Sequence, residues 1–276
     1  MSKKTIGFIG AGNMARSLAK GLIDNGWSPK QIMLSDPGEE QRQSASQLLG
    51  ANCVSDNTLV AETADVVVLA VKPQQLQSAA KPLAAAVQAK QGLIISVVAG
   101  IQIADIERWL GGNLAIVRTM PNTPALIGSG AAGLFANDRV TEEDRNLAES
   151  LLRACGVTAW VDQEHKLDVV TALSGSGPAY YFLMMEALEN AAVARGLNRD
   201  DARLLALETA VGAAKMALES NEDPAQLRQR VTSPGGTTER AIAVFEEAGL
   251  RDTCQQAVDA AITRAQELAE MFGGDK

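Results

Sequence analysis

The strongest constraint on this chain is an alternation of short, β-rich apolar runs with helical stretches across residues 1–162. TIGFIG (5–10), QIMLSD (31–36), DVVVLAV (65–71), GLIISVVAG (92–100) and LAIVRTMP (114–121) read as strands. All but the second are nearly unbroken apolar runs, the pattern of strands buried on both faces. Helical stretches at residues 13–25, 39–49 and 74–90 fall between them. Alternation of this kind implies an α/β fold with a parallel, doubly wound sheet. Two weaker strands, AAGLFA (131–136) and VTAWVD (157–162), close the sheet around a helix at 141–154.

Beyond residue 162 the strand signals stop. PAYYFLMMEALENAAVARG (178–196) is apolar nearly all the way round. Such a helix is buried on every side, spans a membrane or packs in an oligomer. Glu186, Glu189, Asn190 and Arg195 along it disfavour a span. Helices at 199–220 and 224–231, and two more after residue 236, complete an all-helical second half. The expected division is therefore 1–162 and 163–276, the second serving dimerisation. A net charge of −8 with no basic block argues against a nucleic-acid or anionic-membrane partner. No apolar run approaches the roughly 18 residues of a membrane span. MSKKT leads straight into the first strand without a signal-peptide core, so a cytoplasmic setting is expected. Cys53, Cys155 and Cys254 are isolated, which suggests neither disulfides nor a metal site. His165 is the only histidine, so Ser–His and His–metal chemistry are disfavoured.

Gly10-Ala11-Gly12-Asn13-Met14-Ala15 falls between the first strand and the first helix. Gly10 permits the tight turn, Gly12 the close approach of a pyrophosphate, and Ala15 close packing of helix on strand. The helix N-terminus then offers unpaired N–H groups to the anion. Ser35-Asp36 ends the second strand. An acidic side chain there bonds the ribose hydroxyls of NADH and repels a 2′-phosphate. Against that, Ser35 is a possible phosphate donor, and Lys30 or Arg42 a possible cation, so NADH and NADPH both remain open. Ala70-Val71-Lys72-Pro73 follows a strand on the edge that faces the ligand crevice, with Pro73 opening a helix. Met120-Pro121-Asn122 begins a loop stiffened by Pro121 and Pro124, which suits a nicotinamide pocket.

In the second half, SGSGPAY (174–180) precedes the apolar helix, and SPGGTT (233–238) precedes another. Pro234 and two glycines give a sharp turn, with Thr237 or Thr238 a natural N-cap and the next N–H groups aimed at a carboxylate. Strong acid–base candidates in this half are limited to Glu164, His165 and Asp168. Reduction of a ketone needs a proton donor such as His or Lys, whereas an imine nitrogen is protonated beforehand. The poverty of acids and bases thus favours C=N reduction.

GAGNMA (10–15), AVKP (70–73), MPNTP (120–124), SGSGPAY and SPGGTT, in this order, resemble the pyrroline-5-carboxylate reductase family. The resemblance covers nearly the whole chain. It implies an N-terminal Rossmann domain, an all-helical dimerisation and substrate-binding domain, and a homodimer or larger homo-oligomer. It also implies reduction of 1-pyrroline-5-carboxylate to L-proline by NADPH or NADH, the final step of proline biosynthesis. Gly10 to Ala15, Ser35, Asn57, Ala70, Lys72 and Ala99 would touch the cofactor. Ser233, Gly235, Gly236, Thr237 and Thr238 would hold the substrate, with Glu164 nearby. Thr238 would sit beside the imine nitrogen. Asp36 followed by Pro37 departs from pairs that favour NADPH. Two alternatives stand beside this reading. A β-hydroxyacid dehydrogenase would need a Lys on the helix after Gly177, yet none occurs before Lys215. A non-catalytic nucleotide sensor would need no anion cradle in the second half.

Overall fold

Continuous apolar runs become strands because both faces of the sheet are covered. The computed structural model describes residues 4–274; residues 1–3 and 275–276, which include part of MSKKT and both expected domain ends, lie outside the described residues. One sheet contains β1 (Ile6–Ile9), β2 (Ile32–Ser35), β3 (Asn52–Val54), β4 (Val66–Leu69), β5 (Leu93–Ser96), β6 (Ile116–Met120), β7 (Gly130–Ala136) and β8 (Gly156–Trp160). Their order is β3-β2-β1-β4-β5-β6-β7-β8. The first six follow the 3-2-1-4-5-6 order of dinucleotide-binding sheets, with the topological switch between β1 and β4. Every pairing is parallel except β6–β7, the one departure from the expected parallel sheet. Its short link, containing a 3₁₀ turn at Thr123–Ile127, has no room for a crossover helix.

Seven helices lie along this part of the chain: α1 (Asn13–Asp24), α2 (Glu39–Leu49), α3 (Asn57–Thr63), α4 (Pro73–Ala80), α5 (Ala84–Lys90), α6 (Ile103–Leu110) and α7 (Glu142–Arg153). Leu18 and Leu22 of α1, Leu49 of α2 and Leu151 of α7 pack with Phe8, Leu34, Val66 and Val68 on one face. Val60 of α3, Leu76 of α4, Val87 of α5 and Ile106 of α6 pack with Ile9, Val67, Leu69 and Ile94 on the other. β4 shows the principle: Val66 and Val68 enter one core, Val67 and Leu69 the other. The single helix expected at 74–90 is interrupted by a 3₁₀ turn, Lys81–Leu83, where Pro82 removes a donor.

Five further helices follow: α8 (Lys166–Val170), α9 (Gly177–Val193), α10 (Arg199–Glu219), α11 (Pro224–Arg230) and α12 (Thr237–Glu247); α13 (Leu250–Gly273) is last. Thr171–Gly175 between α8 and α9 is a π turn, closed by the Ser176 N–H donating to the Thr171 carbonyl at 2.8 Å. The chain divides into two compact units, one running to Ser176 and resuming at Ala260, the other Gly177–Asp259. The first unit therefore continues past the boundary expected at residue 162. Leu167 is fully buried, and side chains of Leu167 and Val170 crowd Gly133 of β7. The end of α13 belongs to this unit as well, where Phe272 packs on the second core and the Gly273 carbonyl accepts from Arg108.

In the second unit, α9 through α12 bury only Gly177 and Ala202. Tyr181, Phe182 and Leu183 of α9 are 70%, 64% and 66% exposed. No helix among the described residues is long and apolar enough to cross a membrane.

Candidate functional site

The glycine loop sits at the carboxyl end of β1, beside the switch point. Gly10 has φ +105°, and its N–H donates to the Ser35 carbonyl at 2.8 Å. A Cβ there would lie 2.6 Å from the Ala70 carbonyl oxygen, so glycine is required by both dihedral and space. Gly12 is the N-cap of α1, in extended geometry, with no side-chain cap and no acidic residue in the first turn. A Cβ on Gly12 would meet nothing within 4 Å. The first N–H groups of α1 are thus uncapped beneath open space, the geometry an anionic pyrophosphate fits. Ala11 and Ala15 are buried, Met14 packs against the core, and Asn13 is exposed. These residues offer backbone and Asn13 rather than a row of side chains.

The other expected cofactor residues line the same carboxyl edge. Asp36 follows β2, Asn57 begins α3 after β3, and Ala70 to Pro73 follow β4. Ala99 lies in the turn after β5, and Met120 ends β6. Pro73 opens α4 as expected; Lys72 is its exposed N-cap and makes no side-chain cap bond. Ser35 differs from expectation. Its side chain is fully buried and donates to the Phe8 carbonyl at 3.2 Å, so its hydroxyl serves strand packing. Pro121 and Asn122 are buried as well. The Asn122 amide accepts from the Ala131 N–H at 2.9 Å and donates to the Ser174 carbonyl at 3.0 Å. It braces the loop to β7 and to the π turn, leaving backbone to face a ligand. A Cβ on Gly175 would approach the Met120 methyl to 2.6 Å, so the two pack closely there.

Asp36 and its surroundings are well defined. Its carboxylate accepts the Ala11 N–H at 3.1 Å and the Gly38 N–H at 2.9 Å. Arg42 donates from Nη1 to the carbonyls of Asp36 and Pro37, at 2.9 and 2.8 Å. Arg16 donates to the Ala11 carbonyl at 2.7 Å, to Ser44 at 3.1 Å and to Gln41. Burial pushes the Cys53 thiol pKa up, while the charges of Arg16 and Arg42 oppose that shift, so positive charge gathers at this corner.

Sequence reasoning did not single out Arg118, a 4% exposed cation on β6. It pairs with Glu164 at 3.0 Å and Asp168 at 3.5 Å. Glu164 also accepts the Ile103 N–H at the start of α6, at 2.8 Å. Two of the three acid–base candidates are thereby committed to an ion cluster inside the first unit, and the third, His165, is exposed. An arginine inside an apolar strand was the available signal, since a buried guanidinium demands carboxylate partners.

In the second unit, SPGGTT forms a tight turn before α12. Gly235 has φ +73°, and Gly236 donates to the Ser233 carbonyl at 3.0 Å. The N-cap is Gly236, with no side-chain cap bond; Thr237 and Thr238 are already inside the helix. This corrects the expected Thr cap. A cap must adopt extended geometry, and Gly236 at φ −81°, ψ 171° does so. Consequently the hydroxyls of Ser233, Thr237 and Thr238 have no hydrogen-bond partner among the described residues. Glu239 accepts the Gly235 N–H at 2.8 Å, which shows the turn seating a carboxylate oxygen.

Comparison with known proteins adds independent findings. A family model described as pyrroline-5-carboxylate reductase dimerisation matches residues 164–268, and one described as NADP oxidoreductase coenzyme F420-dependent matches residues 5–100. A pyrroline-5-carboxylate reductase of Pseudomonas aeruginosa is 49% identical over 273 residues, covering 99% of this chain and 100% of that one. The solved structure of a pyrroline-5-carboxylate reductase from Coxiella burnetii superposes with a TM-score of 0.93 at 46% identity, covering 97% and 99% of the two chains. That of Plasmodium falciparum pyrroline carboxylate reductase with NADP bound gives 0.87 at 30% identity, covering 98% and 99%.

Proposed function

The chain belongs to the pyrroline-5-carboxylate reductase family, and from that premise we propose how its residues divide the work. It is an NAD(P)H-dependent oxidoreductase that reduces the C=N bond of 1-pyrroline-5-carboxylate, giving L-proline. When bound, the dihydronicotinamide supplies the hydride. The uncapped N-terminus of α1 and the backbone of Gly10, Gly12 and Asn13 hold the pyrophosphate, while Asp36, Asn57, Ala70 to Pro73, Ala99 and Met120 to Asn122 line the rest of the cofactor. The second unit, Gly177–Asp259, provides substrate binding and dimerisation.

The observation that carries the substrate assignment is the SPGGTT turn. It presents an uncapped helix N-terminus and three partnerless hydroxyls, with no histidine or cysteine beside them in sequence. N–H groups of Thr237 and Thr238 seat the substrate carboxylate, helped by the helix dipole. Thr238, half-buried in the first turn of α12, orients the imine nitrogen by a hydrogen bond. That nitrogen is basic and takes its proton before the hydride adds to carbon, so one proton and one hydride complete the amine. Glu164 is assigned a supporting role through its bonds to Arg118 and α6.

The exposed apolar face of α9 supports a homodimer or larger homo-oligomer formed through the second unit. The purified protein is expected to oxidise NADPH or NADH only when 1-pyrroline-5-carboxylate is supplied. A nucleotide sensor would bind the cofactor without turnover. Absence of oxidation with either cofactor at saturating substrate would overturn the assignment.

A further inference from the structure

We propose that the buried cluster of Arg118, Glu164 and Asp168 is an electrostatic element of the hydride-transfer site, its surplus negative charge favouring the oxidised, cationic nicotinamide over the reduced, neutral one. The inference rests on the cofactor reading above and gives a task to charges inside the first unit that the chemistry has so far left unused.

The surplus is a matter of counting. One guanidinium needs one carboxylate for neutrality, and Glu164 supplies it at 3.0 Å. Asp168 adds a second at 3.5 Å, so the cluster carries one negative charge in excess. Asp168 is only 7% exposed, a place where a further carboxylate is costly to hold. The cations nearest in sequence do not cancel it. Lys166 pairs with Asp162 at 2.7 Å and Arg108 with Asp105 at 2.7 Å, while His165 is exposed. The Ile103 N–H, at the start of α6, gives Glu164 a hydrogen bond at 2.8 Å and offsets part of the excess. Lys72, after β4, is exposed and screened by solvent.

The same contacts put the excess at the carboxyl edge of the sheet. Arg118 is in register with Ser96, the last residue of β5. Met120 lies two residues further along β6, about 7 Å in an extended strand. Ile103, bonded to Glu164, opens α6 just after the turn that contains Ala99. Asp168 lies in α8, which runs directly into the π turn where Ser174 accepts from Asn122. The cluster is thus bracketed by Ala99 on one side and Met120 to Asn122 on the other, residues that line the cofactor in the reading above.

A nicotinamide ring is neutral when reduced and carries one positive charge after giving up its hydride. A fixed negative charge at this edge stabilises the oxidised ring more than the reduced one. Part of that preference is already felt as charge develops during transfer. Burial matters because solvent screens such an interaction far less inside the unit than at the surface.

The test reads the two oxidation states by binding, without substrate. NADPH and NADP⁺, with NADH and NAD⁺ as a second pair, are titrated calorimetrically into the full-length protein and into Asp168→Asn. That variant removes the excess charge, keeps the side-chain shape and leaves Arg118 paired with Glu164. The ratio of the oxidised to the reduced dissociation constant should rise about 3- to 10-fold, the scale of one partly screened charge. kcat should fall about 2- to 5-fold, less than the ratio because only part of the charge has developed, with KM for the substrate unchanged. Asp162→Asn, which removes an exposed carboxylate of the same unit, should leave the ratio as it is. Equal weakening of both oxidation states by Asp168→Asn would make Asp168 a packing residue and overturn the proposal, as would an unmoved ratio. Should that variant fail to fold, Glu164→Gln neutralises the cluster from the other side and is read by the same ratio. Wild-type protein that binds neither state would refute the cofactor reading itself; binding of both with a ratio indifferent to the charge refutes this proposal alone.

Discussion

The α1 N-terminus offers a substitution for which stability and function should move in opposite directions. Gly12 is an N-cap at φ −72°, ψ −178°, a conformation open to any residue, and an added Cβ meets nothing within 4 Å. Serine is a preferred N-cap, and replacing glycine by serine there is worth a few tenths of a kcal/mol. Gly12→Ser should therefore leave the melting temperature unchanged or raise it by about 1 °C. The new hydroxyl, however, would take the N–H group that the pyrophosphate uses and occupy the space above it. Loss of one charge-assisted bond, about 1.5–3 kcal/mol, predicts roughly 10- to 150-fold weaker cofactor binding. Gly10→Ala supplies the contrast. At φ +105° an L-residue is strained by about 1–3 kcal/mol, and its Cβ would strike the Ala70 carbonyl. That variant should melt several degrees lower. Thermal denaturation and a fluorescence titration with NADPH read both quantities on each variant. Near wild-type affinity in Gly12→Ser, or a melting point several degrees lower, would refute the cradle at this helix end.

Two more outcomes follow from particular groups. Thr238→Ala should lower kcat by roughly one to three orders of magnitude while the cofactor dissociation constant barely changes; steady-state kinetics and binding titration check this, and an unchanged rate removes Thr238 from the chemistry. Burial, assisted by Asp24, pushes the Cys155 thiol pKa from 9.0 up to about 11. The folded state holds this proton more tightly than the unfolded chain, so the contribution is fully present below pH 9 and is lost as pH rises towards 11. Its upper limit is about 3 kcal/mol. Urea unfolding of wild type and Cys155→Ala between those pH values should show the difference shrinking; parallel curves would contradict the buried-thiol account.

What the sequence revealed and what it hid have a common physical origin. β4 was legible because all four residues are apolar, a pattern produced by burial on both faces. β3 was not, because this three-residue edge strand exposes Asn52 and carries no such pattern. The glycine loop was legible because its requirement is local: a dihedral at Gly10 and space at Gly12. Ser35, Asn122 and Glu164 were harder because their partners, Phe8, Ser174 and Arg118, are distant in sequence. Residue type shows that a polar group needs a partner but not which backbone atom provides it. The threonines of SPGGTT illustrate the same limit. Their composition favoured a cap, whereas backbone geometry gave that position to Gly236 and left both hydroxyls without a partner.

The two units also differ in how completely a single copy satisfies their own physics. In the first unit, helices on both faces of the sheet bury its strands, and the cation Arg118 is paired. Its glycine loop is held by Asp36 and Arg16, so the cofactor edge is preorganised by side chains of the same unit. In the second unit, α9 through α12 bury two residues, while Leu218 of α10 is 86% exposed and Leu183 of α9 is 66% exposed. Helices with so little buried apolar surface gain little from their own packing. The SPGGTT turn belongs to this unit and depends on α12 remaining helical, since its N–H groups point at a carboxylate only while that first turn is formed. Association through the apolar face would therefore do more than join two chains: by fixing α12 it would preorganise the substrate seat, coupling oligomer formation to substrate affinity.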